Sequence, residues 1–215
     1  LTIQTINYEW ELELFEEEID IEKGGTFHRY PADKHKEIIS INKNIDYMKY
    51  NIFNAIYILY CAEFQIKDKY AFILFQFLLN NKDYFIDYID NQFNVPKHFN
   101  INNLFFNITY LNSEEYSRKI GRKTDGLCNP AEYLIYINND TITQAEKVFI
   151  LTHECLHAIY FVLGDMKLYN NEKYINLTAS ILLHFIKNNK ELVKLLLLKN
   201  NKEIIEAINK STDVE

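Results

Sequence analysis

The chain has 215 residues, 48% of them apolar and 25% charged, the balance of a soluble globular protein of one or two domains. Five glycines and three prolines exclude a collagenous or linker-type chain, and 16 Tyr with 15 Phe exclude global disorder. The net charge of −7 gathers in residues 1–22, which carry eight acidic groups and no Lys or Arg; the rest sums to 23 − 22 = +1, so no basic field for nucleic acid is present.

Cys61, Cys128 and Cys155 are too few and too scattered for a disulfide framework, and no CxxC pair supplies a cysteine zinc site. The acidic N-terminus is the opposite of a signal-peptide start, and no apolar stretch is long enough to span a membrane. A cytoplasmic protein with no membrane partner is therefore expected, although the initial Leu leaves room for an upstream segment.

In chain order, Tyr8, Trp10, Leu12 and Leu14 alternate with Glu9, Glu11 and Glu13, the period of a half-buried strand with an acidic outer face. Gly24–Gly25 breaks it, and Phe27–Pro31 reads as loop. From about Asp33 to Gln92 the pattern turns helical, with an aromatic-rich stripe expected to serve packing. His28, His35 and His98 lack metal-ligand spacing. Pro96 marks a boundary, beyond which Leu104–Leu111 and Glu132–Asn138 read as strands and Arg118–Pro130 as a loop or hairpin connection. Thr143 with Glu146 forms a capping box that opens a helix, and Gly164 stops it. A further helix is expected from Asn170–Asn171 to about Lys187, and one or two short helices over residues 191–210.

The capped helix carries His153-Glu154-Cys155-Leu156-His157. With six His and 19 Glu in the chain, an HExxH sequence arises by chance on the order of 0.015 times. Four residues apart on a helix, both imidazoles project from one face and can bind one Zn²⁺ as neighbours. Glu154 points elsewhere, beside the open coordination position, where it is placed to act as general base and proton shuttle. Two histidines need a third ligand. Tyr160 and Leu163 stand where HExxHxxGxxH requires Gly and His, so the search moves downstream. Glu172, opening the next helix, completes a His₂Glu set. Asn176, one turn on, can orient a ligating side chain. The bland alternative for Glu172 is an acid complementing the helix dipole. His184 and Asp165 are the competing ligands.

Residues 105–183 resemble the ImmA/IrrE family of zinc metallopeptidase-like proteins. Gly126-Leu127-Cys128 is similar to the family's short Gly-apolar turn, and Ile135-Tyr136-Ile137-Asn138 to its edge strand. Val148–Ala158 resembles its HExxH helix. Glu172–Leu183 resembles its E-x-x-A-N-x-F-A-x-x-L-L segment, with Ile175 and Thr178 in place of Ala and Phe. The resemblance implies an α+β, zincin-like fold and a zinc endopeptidase acting on a specific protein or peptide substrate, of phage or mobile-element type. It also implies a substrate strand pairing with the sheet edge near Tyr133–Asn138. Tyr160, Tyr136, Tyr169 and His184 are candidates for stabilising the oxyanion. A non-catalytic zinc-containing regulator that binds a partner protein is the rival reading. The expected organisation is a mainly helical region with an acidic first strand over 1–100, a zincin-like domain over 101–190 and a helical tail over 191–215.

Overall fold

The computed structural model describes residues 2–4, 9–15, 26–28, 37–42, 48–63, 70–92, 94–121, 124–140 and 143–212, with side chains from Met48 onward except at residues 60, 62, 63, 211 and 212. The chain is α+β and divides into two compact units, Leu1–Phe75 with His184–Glu215, and Gln76–Leu183. These boundaries differ from the expected breaks at residues 100 and 190.

The first unit opens with β1 (Thr2–Gln4), β2 (Glu9–Phe15), β3 (Thr26–His28) and β4 (Glu37–Asn42). They form a sheet of order β1-β2-β4-β3 in which β2 and β4 run parallel. The expected strand over residues 8–14 is thus β2. The helical reading from Asp33 is corrected, because Glu37-Ile-Ile-Ser-Ile-Asn42 pairs with β2 and β3. Its three isoleucines are stiff at χ1 and suit a pleated surface better than a helix. The loop reading of Phe27–Pro31 is likewise corrected at Phe27 and His28, which pair with β4. His35, Gly24–Gly25 and the acidic face of β2 lie outside the described side chains. Helix α1 (Met48–Glu63) follows and buries Ile52, Phe53, Ile56 and Tyr57. The Phe53 ring stacks on Phe75 and meets Phe185 edge-on, at 5.1 and 5.4 Å.

Helix α2 (Ala71–Asn80) leads into the second unit, followed by α3 (Lys82–Ile89) and the hairpin of β5 (His98–Ile101) and β6 (Leu104–Leu111). Asn102 and Asn103 make its turn at φ 50° and 64°, positive angles that asparagine tolerates and a two-residue hairpin requires. Helix α4 (Ser113–Ile120), β7 (Gly126–Asn129) and β8 (Leu134–Asn138) complete this part. Of the loop or hairpin connection expected over Arg118–Pro130, the start is the end of α4, and Gly126–Pro130 is the first arm and turn of the antiparallel β7–β8 hairpin. The sheet order is β5-β6-β8-β7, with β6 and β8 parallel and the outer pairs antiparallel. Phe99, Ile101, Phe106, Ile135 and Ile137 alternate onto a buried face. Tyr136 points the other way and lies beneath Lys119 Nζ, 4.9 Å from its ring.

The two edges of this sheet differ. At β5, the Asn81 side-chain amide donates to the Asn100 carbonyl and accepts from the Asn100 N–H, both at 2.8 Å. One side chain thereby occupies both outward backbone groups of Asn100. At β7 no strand pairs on the outer side among the described residues. The substrate edge expected at Tyr133–Asn138 is therefore corrected: β8 is enclosed between β6 and β7, and the edge is Gly126–Asn129.

Helix α5 (Gln144–Val162) packs across β5, β7 and β8. Its capping box is formed as expected: Glu146 N–H donates to Thr143 Oγ1 at 3.3 Å, and Thr143 N–H to Glu146 Oε2 at 2.7 Å. Leu151, Cys155, Leu156, Ala158, Ile159 and Tyr160 are wholly buried, so the helix is a central element rather than an amphipathic cover. Gly164, at φ 71°, ends it in the left-handed turn that glycine adopts freely. Then come the one-turn α6 (Met166–Tyr169) and α7 (Glu172–Asn188). The chain closes in the first unit with α8 (Lys190–Leu198) and α9 (Asn201–Thr212), the latter against β2.

Candidate metal centre

His153 and His157 project from one face of α5 into a cleft of about 440 Å³, which β7 also lines. The packing of α5 on the sheet fixes their backbone, and a short hydrogen bond fixes the ring of His157. His157 Nδ1 lies 2.8 Å from the Tyr169 carbonyl. A carbonyl only accepts, so Nδ1 carries the proton and Nε2 presents its lone pair to the cleft. Helix α6 exists to bring that carbonyl into place, and its start is tied by Leu168 N–H donating to Asp165 Oδ1 at 3.1 Å.

Glu172 enters from the first position of α7, whose start is capped by the Asn171 side chain accepting from Tyr174 N–H at 3.1 Å. Its two carboxylate oxygens reach 3.2 Å from His153 Nε2 and 3.4 Å from His157 Nε2, and the two Nε2 atoms are 3.0 Å apart. A cation with tetrahedral bonds of about 2.0–2.1 Å holds its ligand atoms roughly 3.3 Å from one another. The two Glu172 distances are to different oxygens, Oε2 and Oε1, and one ligand atom from each of the three groups lies within 4.8 Å of the others, close enough to converge on one cation. The three groups form a cluster able to hold a metal ion.

The electrostatics agree with that geometry. Burial lowers the pKa of His153, the neighbouring His157 lowers it further, and Glu172 and Asn176 act in the opposite sense. Burial also lowers the pKa of His157, against Glu172 and the Tyr169 carbonyl. Neutral imidazole, the form that binds metal, is favoured at both. Asn176 interacts with His153 from one turn along α7. His153 Nδ1 is nevertheless buried without a well-oriented hydrogen-bond partner.

Glu154 is 6% exposed. Burial pushes its pKa up to about 8, Glu172 adds to the shift, and a hydrogen bond from the Cys128 backbone amide opposes it. That amide points away from the sheet. Asn138 N–H donates to the Asp125 carbonyl, and in an antiparallel pair the alternation then turns Gly126 and Cys128 outward. The Cys128 and Cys155 thiols are buried and pushed well above their usual range by that burial. Neither is a reactive thiol.

The structure brings together His153, His157, Glu172, Glu154 and Asn176 around one cleft. It sets the competing ligands apart. Asp165 caps α6, and His184 is exposed beside Asn188. Of the oxyanion candidates, Tyr160 is buried, Tyr136 faces the other side of the sheet, and Tyr169 lines the cleft. Sequence reasoning missed the Tyr169 carbonyl and the Cys128 amide, for which a sequence gives no residue-type signal. It also missed the spatial role of Gly126. Compared with protein-family models, curated proteins and solved structures, the chain finds no match.

Proposed function

We propose that the chain is a zinc-dependent endopeptidase with a zincin-like catalytic unit, cutting peptide bonds of a specific protein substrate. The observation that carries this reading is the set of ligand-atom separations among His153, His157 and Glu172, 3.0 to 3.4 Å, with Glu154 in the same cleft. The resemblance of residues 105–183 to the ImmA/IrrE family supports it independently.

Zn²⁺, when bound, supplies Lewis acidity that makes water a competent nucleophile near neutral pH. The remaining work belongs to the chain. The outward backbone groups of Gly126 and the Cys128 carbonyl, the Cys128 N–H being taken by Glu154, hold the peptide as an added strand, beside apolar walls of Leu127, Phe149 and Ile150. Glu154 takes a proton from the attacking water and delivers it to the leaving amine. The Tyr169 hydroxyl donates to the oxygen on which negative charge develops.

The test is incubation of zinc-loaded protein with a proteome-derived peptide library, cleavage being read by mass spectrometry. Wild type cuts and Glu154→Gln, with zinc retained, is slower by about 100- to 10,000-fold. Zinc bound with no cleavage by wild type overturns the peptidase reading in favour of a zinc-containing protein-binding regulator.

A further inference from the structure

Within the cleft, the sheet comes close to α5 at Gly126. A β-carbon built there would sit 2.6 Å from Ile150 Cγ2, 2.7 Å from Glu154 Oε1 and 3.0 Å from Glu154 Cγ. Distances under about 3 Å to side-chain carbon and oxygen are repulsive. The constraint is spatial and not conformational, because Gly121 and Gly164 adopt positive φ while Gly126 does not. Two residues along the same strand, the Cys128 amide donates to the Glu154 carboxylate. β7 therefore meets Glu154 twice, once by an absent side chain and once by a hydrogen bond.

We infer that Gly126 is a positioning residue: its missing side chain is the seat in which the Glu154 carboxylate lies, held there by the Cys128 amide. The inference rests on the endopeptidase reading for its kinetic consequence, but not for its structural one. The three atoms nearest a β-carbon at 126 belong to Ile150 and Glu154, and none to His153, His157 or Glu172. A side chain there acts through Glu154, so metal binding and catalysis separate. Displacing a reacting group by about 1 Å costs on the order of 100-fold in rate. Ile150 shares the contact, and a variant at 150 distinguishes crowding of Glu154 from crowding of the helix.

The experiment combines kinetics with a stability cycle. Gly126→Ala keeps one zinc per chain by elemental analysis. On the fastest-cut peptide of the library its kcat falls about 100-fold with KM within about threefold. In parallel, melting temperatures of the metal-free protein are measured for Gly126→Ala in the wild-type and Glu154→Ala backgrounds. The cost of the alanine is smaller by at least about 3 °C where the carboxylate is gone. If Gly126→Ala does not fold, both measurements move to an Ile150→Ala host, which lacks the Cγ2 atom. Unchanged kcat, or an equal cost in both backgrounds, overturns the inference. A wild type that binds zinc and cuts nothing removes the endopeptidase reading, while the melting cycle still decides whether Gly126 seats Glu154.

Discussion

At the scale of the residue, each candidate metal ligand in the cleft is placed by groups of the chain itself. The Tyr169 carbonyl orients His157, the first turn of α7 presents Glu172, and Asn176 interacts with His153. Zinc content therefore separates these roles. His153→Ala and Glu172→Ala lose bound zinc in elemental analysis of purified protein. Asn176→Ala retains it with affinity lower by about 10-fold in a competition titration. Full zinc occupancy in Glu172→Ala would sink the His₂Glu assignment.

Glu154 adds a pH signature. Its folded-state pKa of about 8, against an ordinary 4.5, means that the folded protein holds this proton more tightly than the unfolded chain. Stability of the metal-free protein therefore falls as pH rises between those values. The two histidines, with lowered folded pKa values, act oppositely, but only below about 6.5. Between pH 6.5 and 8 the Glu154 effect stands alone and amounts to about 2 kcal/mol. Metal-free wild type should lose several degrees of melting temperature over that window, and Glu154→Gln should not. A slope shared by both proteins would show that the carboxyl is not held protonated by burial.

Among the elements, those with a local sequence cause were legible. The Thr143–Glu146 box and Gly164 bracket α5, and the alternation of β2 and β6 shows in their residues. Thr143→Ala removes the hydroxyl that accepts Glu146 N–H and should cost about 1 kcal/mol in denaturant unfolding. The elements misread depend on distant partners or on signals outweighed by their neighbours. Glu37–Asn42 becomes a strand because β2 and β3 pair with it. The Asn112–Glu115 capping box and Gly121 do bracket α4, but Gly126 and Pro130 beyond it made the whole stretch read as a loop or hairpin connection. The open edge could not be read at all, since strand order is a property of the folded sheet. Hence the cluster of His153, His157 and Glu172, which could hold a metal ion, was legible, while the strand facing it was placed one position too far inward.

For the whole molecule, the segment expected to be a tail belongs to a unit with the N-terminal sheet. Leu192, Val193, Leu196, Leu197, Ile204 and Ile208 are buried, and burying each such side chain stabilises by about 1.5–3 kcal/mol. Truncation after residue 190 should therefore abolish the cooperative thermal transition of the first unit, seen by circular dichroism. A truncated chain that melts as wild type would show that residues 191–215 do not support that unit. The three-part division expected at residues 100 and 190 missed this, because hydropathy and proline positions report breaks along the chain and not its return to an earlier unit.

The Asn81 amide seated on Asn100 has a consequence of a different kind. Strands add to a sheet as units add to a growing polymer, and propagation needs two reactive ends. With Asn100 of β5 occupied in this way and no strand paired outside β7 among the described residues, the strand addition proposed above has one end from which to grow, and the arrangement would then terminate.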